Sequence, residues 1–261
     1  MMRVQHVIKV TGIAGAERHL LTLLPGLRAH GIDARLLALV EPDKPVDELK
    51  AAAEAAEIPF DRIVIRSNAD IGVIGLLRAY FRQHKPDIVH THLLHADLYG
   101  IPAARLAGVP RVITSRHNDD DFRNKPQWRA IHRVQWRFID SGIGISEAIR
   151  QFCITAEGAP PDKISTIHYG IDPAPPLSNA RDSVRAELHL REETRIVGMV
   201  GRLIPQKGFA YGIEAFASLN QPHTHLVIVG DGILRAELEA QAAACAIADR
   251  VHFLGWRTDV D

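Results

Sequence analysis

The 261-residue sequence has only two cysteines, Cys153 and Cys245, and neither belongs to a CxxC pair. That scarcity argues for a reduced, cytosolic compartment in which both thiols serve as small core residues. No apolar run approaches the roughly 18 residues of a membrane span. The opening residues Met1–His6 lead straight into a strand-like run, without the apolar region and small-residue cleavage site of a signal peptide. Excess charge of either sign is missing too: 31 Lys and Arg face 31 Asp and Glu. Whole-chain charge therefore gives no reason to expect nucleic acid or attraction to an anionic surface. What this leaves open is peripheral membrane contact, at the inner face of a membrane, through a few exposed residues on one helix.

What is present is an ordinary apolar fraction, 46%, distributed as short apolar runs alternating with longer amphipathic stretches. Such alternation predicts an α/β fold with parallel sheets and helices on both faces. Strands are expected at Val4–Val10, Ala34–Val40, Arg62–Arg66, Asp87–His90, Arg111–Ser115, Ser141–Ile145 and Lys163–Ile167. Between them the pattern predicts helices at Ala16–His30, Val46–Ala56, Ile71–His84, Ala96–Ala107 and Pro126–Phe138. Gly31 and Gly108 read as helix stops, Ser146 as an N-cap, and Pro25 as a kink. The Pro-rich stretch Asp172–Asn179 then reads as an interdomain connection. Beyond it the alternation restarts, with strands at Arg195–Val200, Thr224–Val229 and Val251–Leu254 and helices at Phe209–Leu219 and Leu234–Ala246. The expected organisation is a Rossmann-like domain over 1–172, a linker over 173–190 and a second Rossmann-like domain over 191–261. About 70 residues follow the linker, fewer than the roughly 100–150 such a domain uses, so the second is expected to be incomplete.

Several strand ends carry residues suited to chemistry. Thr11–Glu17 joins the first strand to the first helix, where Gly15 and free N–H groups could receive an anion. The same residues would also make a simple tight turn, and the dinucleotide pattern GxGxxG is absent, which weakens a nicotinamide reading. Gly201–Gly208 follows the first strand of the second half and places Arg202 and Lys207 five residues apart. Arg grips phosphate oxygens bidentately and Lys adds a point charge. A departing nucleoside diphosphate needs both, because its negative charge grows as the sugar bond breaks. Gly230, Asp231 and Gly232 end the next strand, either to admit a ligand or merely to turn the chain. His117 ends a first-half strand, where an imidazole can donate or accept hydrogen bonds toward an interdomain cleft. His90 and His92, with His95 nearby, offer nitrogens at alternate strand positions, but no third ligand is evident, so no metal is expected.

Taken together these stretches resemble the retaining glycosyltransferases of family 4, which have the GT-B fold. The pieces are Gly15–Arg18, Pro86–His92, Gly108–Val109–Pro110 with the strand to His117, Ser141–Ser146, Gly170–Ile171–Asp172, Gly201–Gly208 and Val229–Gly232. Their order spans nearly the whole chain. The resemblance implies that Gly15 faces the donor phosphates, that Arg202 and Lys207 bind the diphosphate and stabilise the departing nucleotide, and that Gly201 and Gly230–Gly232 lie beside the nucleotide. It places His117 near the transferred sugar and the acceptor. It also implies a metal-independent reaction without cofactor, from a UDP- or GDP-sugar to a hydroxyl of a saccharide, lipid or small molecule, in glycan or lipopolysaccharide biosynthesis. Retention would follow front-face attack, with the leaving phosphate accepting the acceptor's proton. Acceptor choice is expected in the loops around His92–Leu98 and His117–Trp128.

The sequence departs from the pattern in having Ala14–Gly15 where two glycines are common and Tyr169 where Asn is common. The family's Glu-x7-Glu stretch would lie beyond Gly255–Trp256–Arg257, so the 261 residues alone are expected to have little or no activity. Competing readings are a GT-B sugar-nucleotide epimerase, which would need no acceptor, a non-catalytic nucleotide-binding or interaction fragment, and the disfavoured nicotinamide oxidoreductase.

Overall fold

The computed structural model describes residues 1–261 apart from 45, 67–69, 172–179, 220, 258 and 261. The Pro-rich stretch and the last residue of Gly170–Ile171–Asp172 lie outside the described residues. The chain divides into two compact units, Met1–Asp172 and Pro173–Asp261.

The first unit runs β1 (Arg3–Val10), α1 (Gly15–Ala29), β2 (Asp33–Val40), α2 (Asp47–Ala55), β3 (Phe60–Val64), α3 (Gly72–His84), β4 (Ile88–His92) and α4 (Leu93–Ala107). It continues with β5 (Arg111–Arg116), α5 (Pro126–Gln135), β6 (Ser141–Gly144), α6 (Glu147–Phe152) and β7 (Ile164–Thr166). Its seven strands form one parallel sheet in the order β3-β2-β1-β4-β5-β6-β7. The order reverses between β1 and β4, and in open parallel sheets ligands bind beyond the strand ends at such a reversal.

Period-2 alternation sends successive β1 side chains to opposite layers. Val7 joins Leu37, Leu39, Leu77, Phe81 and Val89 in the core under α3 and α4. Ile8 and Val10 join Leu20, Leu24, Leu36 and Leu49 under α1 and α2. Each fully buried Leu or Phe contributes about 1.5–3 kcal/mol, which fixes the register of the sheet more strongly than backbone pairing does. Gly31 and Gly108 sit at φ +79° and +80° just past α1 and α4, as expected of helix stops. Ser146 caps α6, its hydroxyl accepting from the Ile149 N–H at 3.2 Å. Pro25 lies inside α1 without dividing it.

Some expected boundaries shift. The strand expected at Arg62–Arg66 falls at Phe60–Val64, because β2 pairs Leu36 with Phe60 and Val40 with Val64. The helix expected at Pro126–Phe138 is α only to Gln135 and finishes as a 3-10 turn at Trp136–Phe138. The loop expected at His92–Leu98 is helical from Leu93, which starts α4 at φ +66°. A non-glycine residue there stores about 1–2 kcal/mol of backbone strain at the sheet edge.

The second unit holds α7 (Ala180–Glu187), β8 (Arg195–Val200), α8 (Phe209–Ser218), β9 (Thr224–Val229), α9 (Arg235–Ala244) and β10 (Val251–Gly255). The α7 helix falls inside the stretch expected as linker, after its prolines, and is tied down where Arg185 donates to the Thr194 carbonyl at 2.8 Å. The sheet is parallel in the order β10-β9-β8 and packs on Leu203, Phe209, Ile213 and Leu238. Edge strand β8 leaves Val197 and Val200 exposed.

Candidate active site

In the first unit the strand ends at the β1/β4 reversal gather the Gly15 turn, Glu17, His19, His92, His117 and Tyr169. Glu17 folds back so that its carboxylate accepts the Ala14 N–H at 3.0 Å, and burial raises its pKa. A Cβ built on Gly15 meets nothing within 4 Å, so that position is open on the side a side chain would take. His19 stacks on Tyr169 with ring centroids 3.8 Å apart.

His117 is held from both sides. Its Nε2 lies 3.1 Å from His92 Nδ1, and its Nδ1 bonds the Tyr169 hydroxyl. His92 Nε2 in turn lies 3.0 Å from His6 Nδ1. Four side chains thus form one hydrogen-bonded chain, Tyr169–His117–His92–His6, and their tautomers are coupled. If the Tyr169 hydroxyl donates, each imidazole passes an N–H inward and His6 Nε2–H ends the chain. In the opposite polarity His6 Nε2 is a bare acceptor. That atom has no hydrogen-bond partner. It borders a cavity of about 350 Å³ whose walls include Val4, Ile88, His90, Ile113, Ser115 and Ile143.

Burial, then the neighbouring His19, hold His6 at a pKa of about 3. Burial, then the neighbouring imidazoles of His19 and His90 and the cations Arg116 and Arg123, holds His117 there too. His90 and His92 are displaced the same way, first by burial. All four rings are therefore neutral at pH 7, and His117 acts as a neutral hydrogen-bonding group. A hydroxyl that reaches His117 Nδ1 must replace that of Tyr169.

The register explains the His6 contact. β1 and β4 pair His6 with His90, so the third imidazole that the sequence did not reveal lies alongside the first. Among the described residues the ring nitrogens of His6, His90 and His92 lie within 4.8 Å of one another, whereas His95 is outside the group. Most of these nitrogens are already used: His90 Nε2 meets Ser115 Oγ at 2.8 Å and His92 is bonded through both. A metal would have to break that chain.

Behind His117 lies a fully buried ionic network, also unforeseen. Arg116 pairs with Asp97 and, at 2.9 Å, with Glu157, which also takes Arg123 at 2.9 Å. Thr91 and Thr114 donate to Asp97 at 2.5 and 2.7 Å. Burial alone would raise the Glu157 pKa, but Arg116, His132 and Arg123 pull it down to about 2. The network pins β5 to α4 and to the π-helical turn Cys153–Glu157, and so fixes the strand end that carries His117.

In the second unit Arg202 and Lys207 are exposed on the loop after β8. Lys207 leans on that loop, its Cδ 3.9 Å from where a Gly201 Cβ would sit. The loop after β9 packs directly against it: Leu203 N–H donates to Asp231 at 3.0 Å and Leu234 N–H to Leu203 at 3.1 Å. A Cβ on Gly230 would overlap the Gly201 carbonyl oxygen, and one on Gly232 would lie 2.5 Å from that of Leu203. These glycines are required by backbone packing between the two loops. The Asp231 carboxylate accepts the Gly232 N–H at 2.7 Å. The expected residues therefore fall in two groups, Gly15 and His117 at strand-to-helix turns of the first unit and Gly201, Arg202, Lys207, Gly230, Asp231 and Gly232 on the two packed loops of the second.

Two parallel, Rossmann-like units, one with imidazoles at its strand ends and one with an Arg–Lys loop there, define a GT-B-type α/β protein. The chain belongs to Glycosyltransferase Family 4, which residues 13–175 match, while residues 180–261 match Glycosyl transferases group 1. It is 28% identical to the UDP-Gal:alpha-D-GlcNAc-diphosphoundecaprenol alpha-1,3-galactosyltransferase of Escherichia coli, over 99% of this chain and 70% of that one. It is 26% identical to the lipopolysaccharide core biosynthesis glycosyltransferase LpsD of Rhizobium meliloti, over 99% of this chain and 67% of that one. Among solved structures, Anabaena HepE in complex with UDP and glucose superimposes with a TM-score of 0.79 at 22% identity, over 99% of this chain and 70% of that one. The chain thus spans about 70% of the length of these relatives.

Proposed function

We propose that these 261 residues are the acceptor-side domain and the first part of the donor domain of a retaining glycosyltransferase. It would move a sugar from a UDP- or GDP-sugar to a hydroxyl of a saccharide or lipid-linked acceptor. The observation that carries the reading is the exposed Arg202–Lys207 loop at the carboxyl end of β8, braced by the Gly230–Gly232 turn. Two cations on a braced loop at that edge suit a diphosphate, and they stabilise it most as the sugar bond breaks, without a divalent ion. The E. coli relative's UDP-Gal donor and alpha-D-GlcNAc-diphosphoundecaprenol acceptor, and the UDP bound to Anabaena HepE, support this choice of substrate class.

In the first unit the neutral His117 offers a sugar hydroxyl one hydrogen bond once Tyr169 withdraws, and the exposed Gly15 turn at the start of α1 suits the donor phosphates. Front-face attack then lets the leaving phosphate accept the acceptor's proton, consistent with a histidine too weakly basic at neutral pH to act as general base. Calorimetric titration with UDP and GDP tests the reading. Binding abolished by Arg202→Ala with Lys207→Ala supports it, and the preferred base identifies the donor class. Nucleotide binding unchanged in that double variant refutes the site.

A further inference from the structure

Tyr169, His117, His92 and His6 share one hydrogen-bonded chain, and the surroundings of its two ends decide which way the protons point. His117 Nε2 meets His92 Nδ1 at 3.1 Å, and His92 Nε2 meets His6 Nδ1 at 3.0 Å. Each junction therefore joins the Nε2 of one ring to the Nδ1 of the next. One direction makes every ring the Nε2–H tautomer, and the other makes every ring Nδ1–H. Nε2–H is the more stable form of a free neutral histidine side chain, and that preference applies at all three rings. At the outer end the Tyr169 hydroxyl bonds His117 Nδ1. A phenol donates more strongly than it accepts, because its ring draws on the oxygen lone pair. At the inner end His6 Nε2 borders the cavity of about 350 Å³, with His90 and Ser115 on the wall. One water takes about 30 Å³, so this polar corner has room for an acceptor of the last N–H. The rings of His6 and His92 are 1% and 0% exposed and stack with centroids 5.3 Å apart, which holds both in place.

We propose that His6 and His92 are positioning residues that hold His117 as its Nε2–H tautomer, so that a bare Nδ1 faces the site and whatever replaces the Tyr169 hydroxyl there must donate a hydrogen bond. A neutral sugar hydroxyl meets that condition. A carboxylate, as on a uronic acid, would set oxygen lone pairs against a nitrogen lone pair. His117 cannot relieve that conflict at neutral pH by taking a proton, because burial holds its pKa at about 3. The cations behind it are already engaged, Arg116 with Asp97 and Glu157 and Arg123 with Glu157. His6 and His92 thus act through His117 rather than on the sugar. The sugar preference rests on the proposed transferase reading, whereas the tautomer does not.

Long-range proton–nitrogen NMR of the chain with labelled histidines reads each tautomer. Wild type should show His117, His92 and His6 all as Nε2–H. His6→Leu leaves the His92 N–H buried without an acceptor, so His92 should turn over to Nδ1–H and drive His117 to Nδ1–H as well. His6→Asn, whose side-chain oxygen stands near the place of Nδ1, should keep His117 as Nε2–H. Tyr169→Phe should keep the tautomer and move the His117 Nδ1 resonance toward that of an unbonded nitrogen. A wild-type His117 in the Nδ1–H form overturns the proposal, and this spectrum needs no variant to fold. So does a His117 tautomer unchanged by His6→Leu, which would make His6 a packing residue only. Calorimetry reads the sugar preference. UDP-glucuronate should bind about 10- to 100-fold more weakly than UDP-glucose, the cost of one mismatched buried polar contact, and His117→Ala should remove the difference. If guanosine is the preferred base, GDP-mannuronate and GDP-mannose take their place. Equal affinity in wild type, or a difference that persists in His117→Ala, overturns the preference. Failure of both UDP and GDP to bind falls on the Arg202–Lys207 loop, and the tautomers then decide this proposal by themselves.

Discussion

Lowering the pH from 7 to 5 should destabilise the first unit through its imidazole chain. Burial holds His6 and His117 at about 3, against an ordinary 6.5. Between those values the unfolded chain binds protons that the folded one refuses. Stability contributed by these groups is therefore complete above about pH 6.5 and falls as pH drops through the window. At about 1.4 kcal/mol per pH unit, each ring costs about 2 kcal/mol at pH 5, and the two together about 4 kcal/mol. His90 and His92 are displaced in the same direction and add to the loss. Glu157, at about 2 against 4.5, loses its contribution only below that higher value, so the two effects separate on the pH axis. Set against a domain stability of about 5–15 kcal/mol, the loss is large. Urea unfolding followed by Trp fluorescence reads it, since Trp136 is 2% exposed in the first unit while Trp256 of the second is 72% exposed already. With a slope of about 2 kcal/mol/M, His6 and His117 alone should lower the midpoint by about 2 M between pH 7 and pH 5, and His90 and His92 lower it further. His6→Leu removes one titrating ring and should reduce that fall by about 1 M. An unchanged midpoint at pH 5 would refute the reasoning.

Two further substitutions test the frame behind each sheet edge. Arg116→Met leaves Asp97 and Glu157 as buried, poorly compensated charges, and should cost about 3–5 kcal/mol in the same urea titration; a loss under about 1 kcal/mol would mean that the carboxylates have other partners. Gly230→Ala sets a methyl group against the Gly201 carbonyl at φ +131° and should destabilise the second unit by about 2 kcal/mol or more. Hydrogen exchange would show this as faster exchange at Gly201 and Leu203, with amides of the first unit unchanged.

Much of this was legible in the sequence because it is local. Alternation at periods of 2 and 3.6 residues located most strands and helices, Gly31, Gly108 and Ser146 marked their ends, and the Arg202–Lys207 loop was visible as two cations after a strand. The α7 helix was missed because the prolines before it dominated the composition of 173–190. Phe60–Val64 was misplaced by two residues because pairing with Leu36–Val40, rather than its own weak alternation, sets its limits.

What only tertiary structure decided depends on partners distant in the chain. His6 becomes part of the site because β1 pairs with β4 across more than 80 residues, which brings its Nδ1 to His92. Arg116 is a basic residue at a strand end until α4 and the turn Cys153–Glu157 enclose it with two carboxylates. Gly230 and Gly232 look like ligand-facing glycines until the β8 loop packs against them. The sequence by itself determined the elements and the family, because periodicity and short motifs are read within one turn or one strand. Register and crossover determined which side chains meet, because those are set by burying the sheet's two faces, a condition that no single segment satisfies alone.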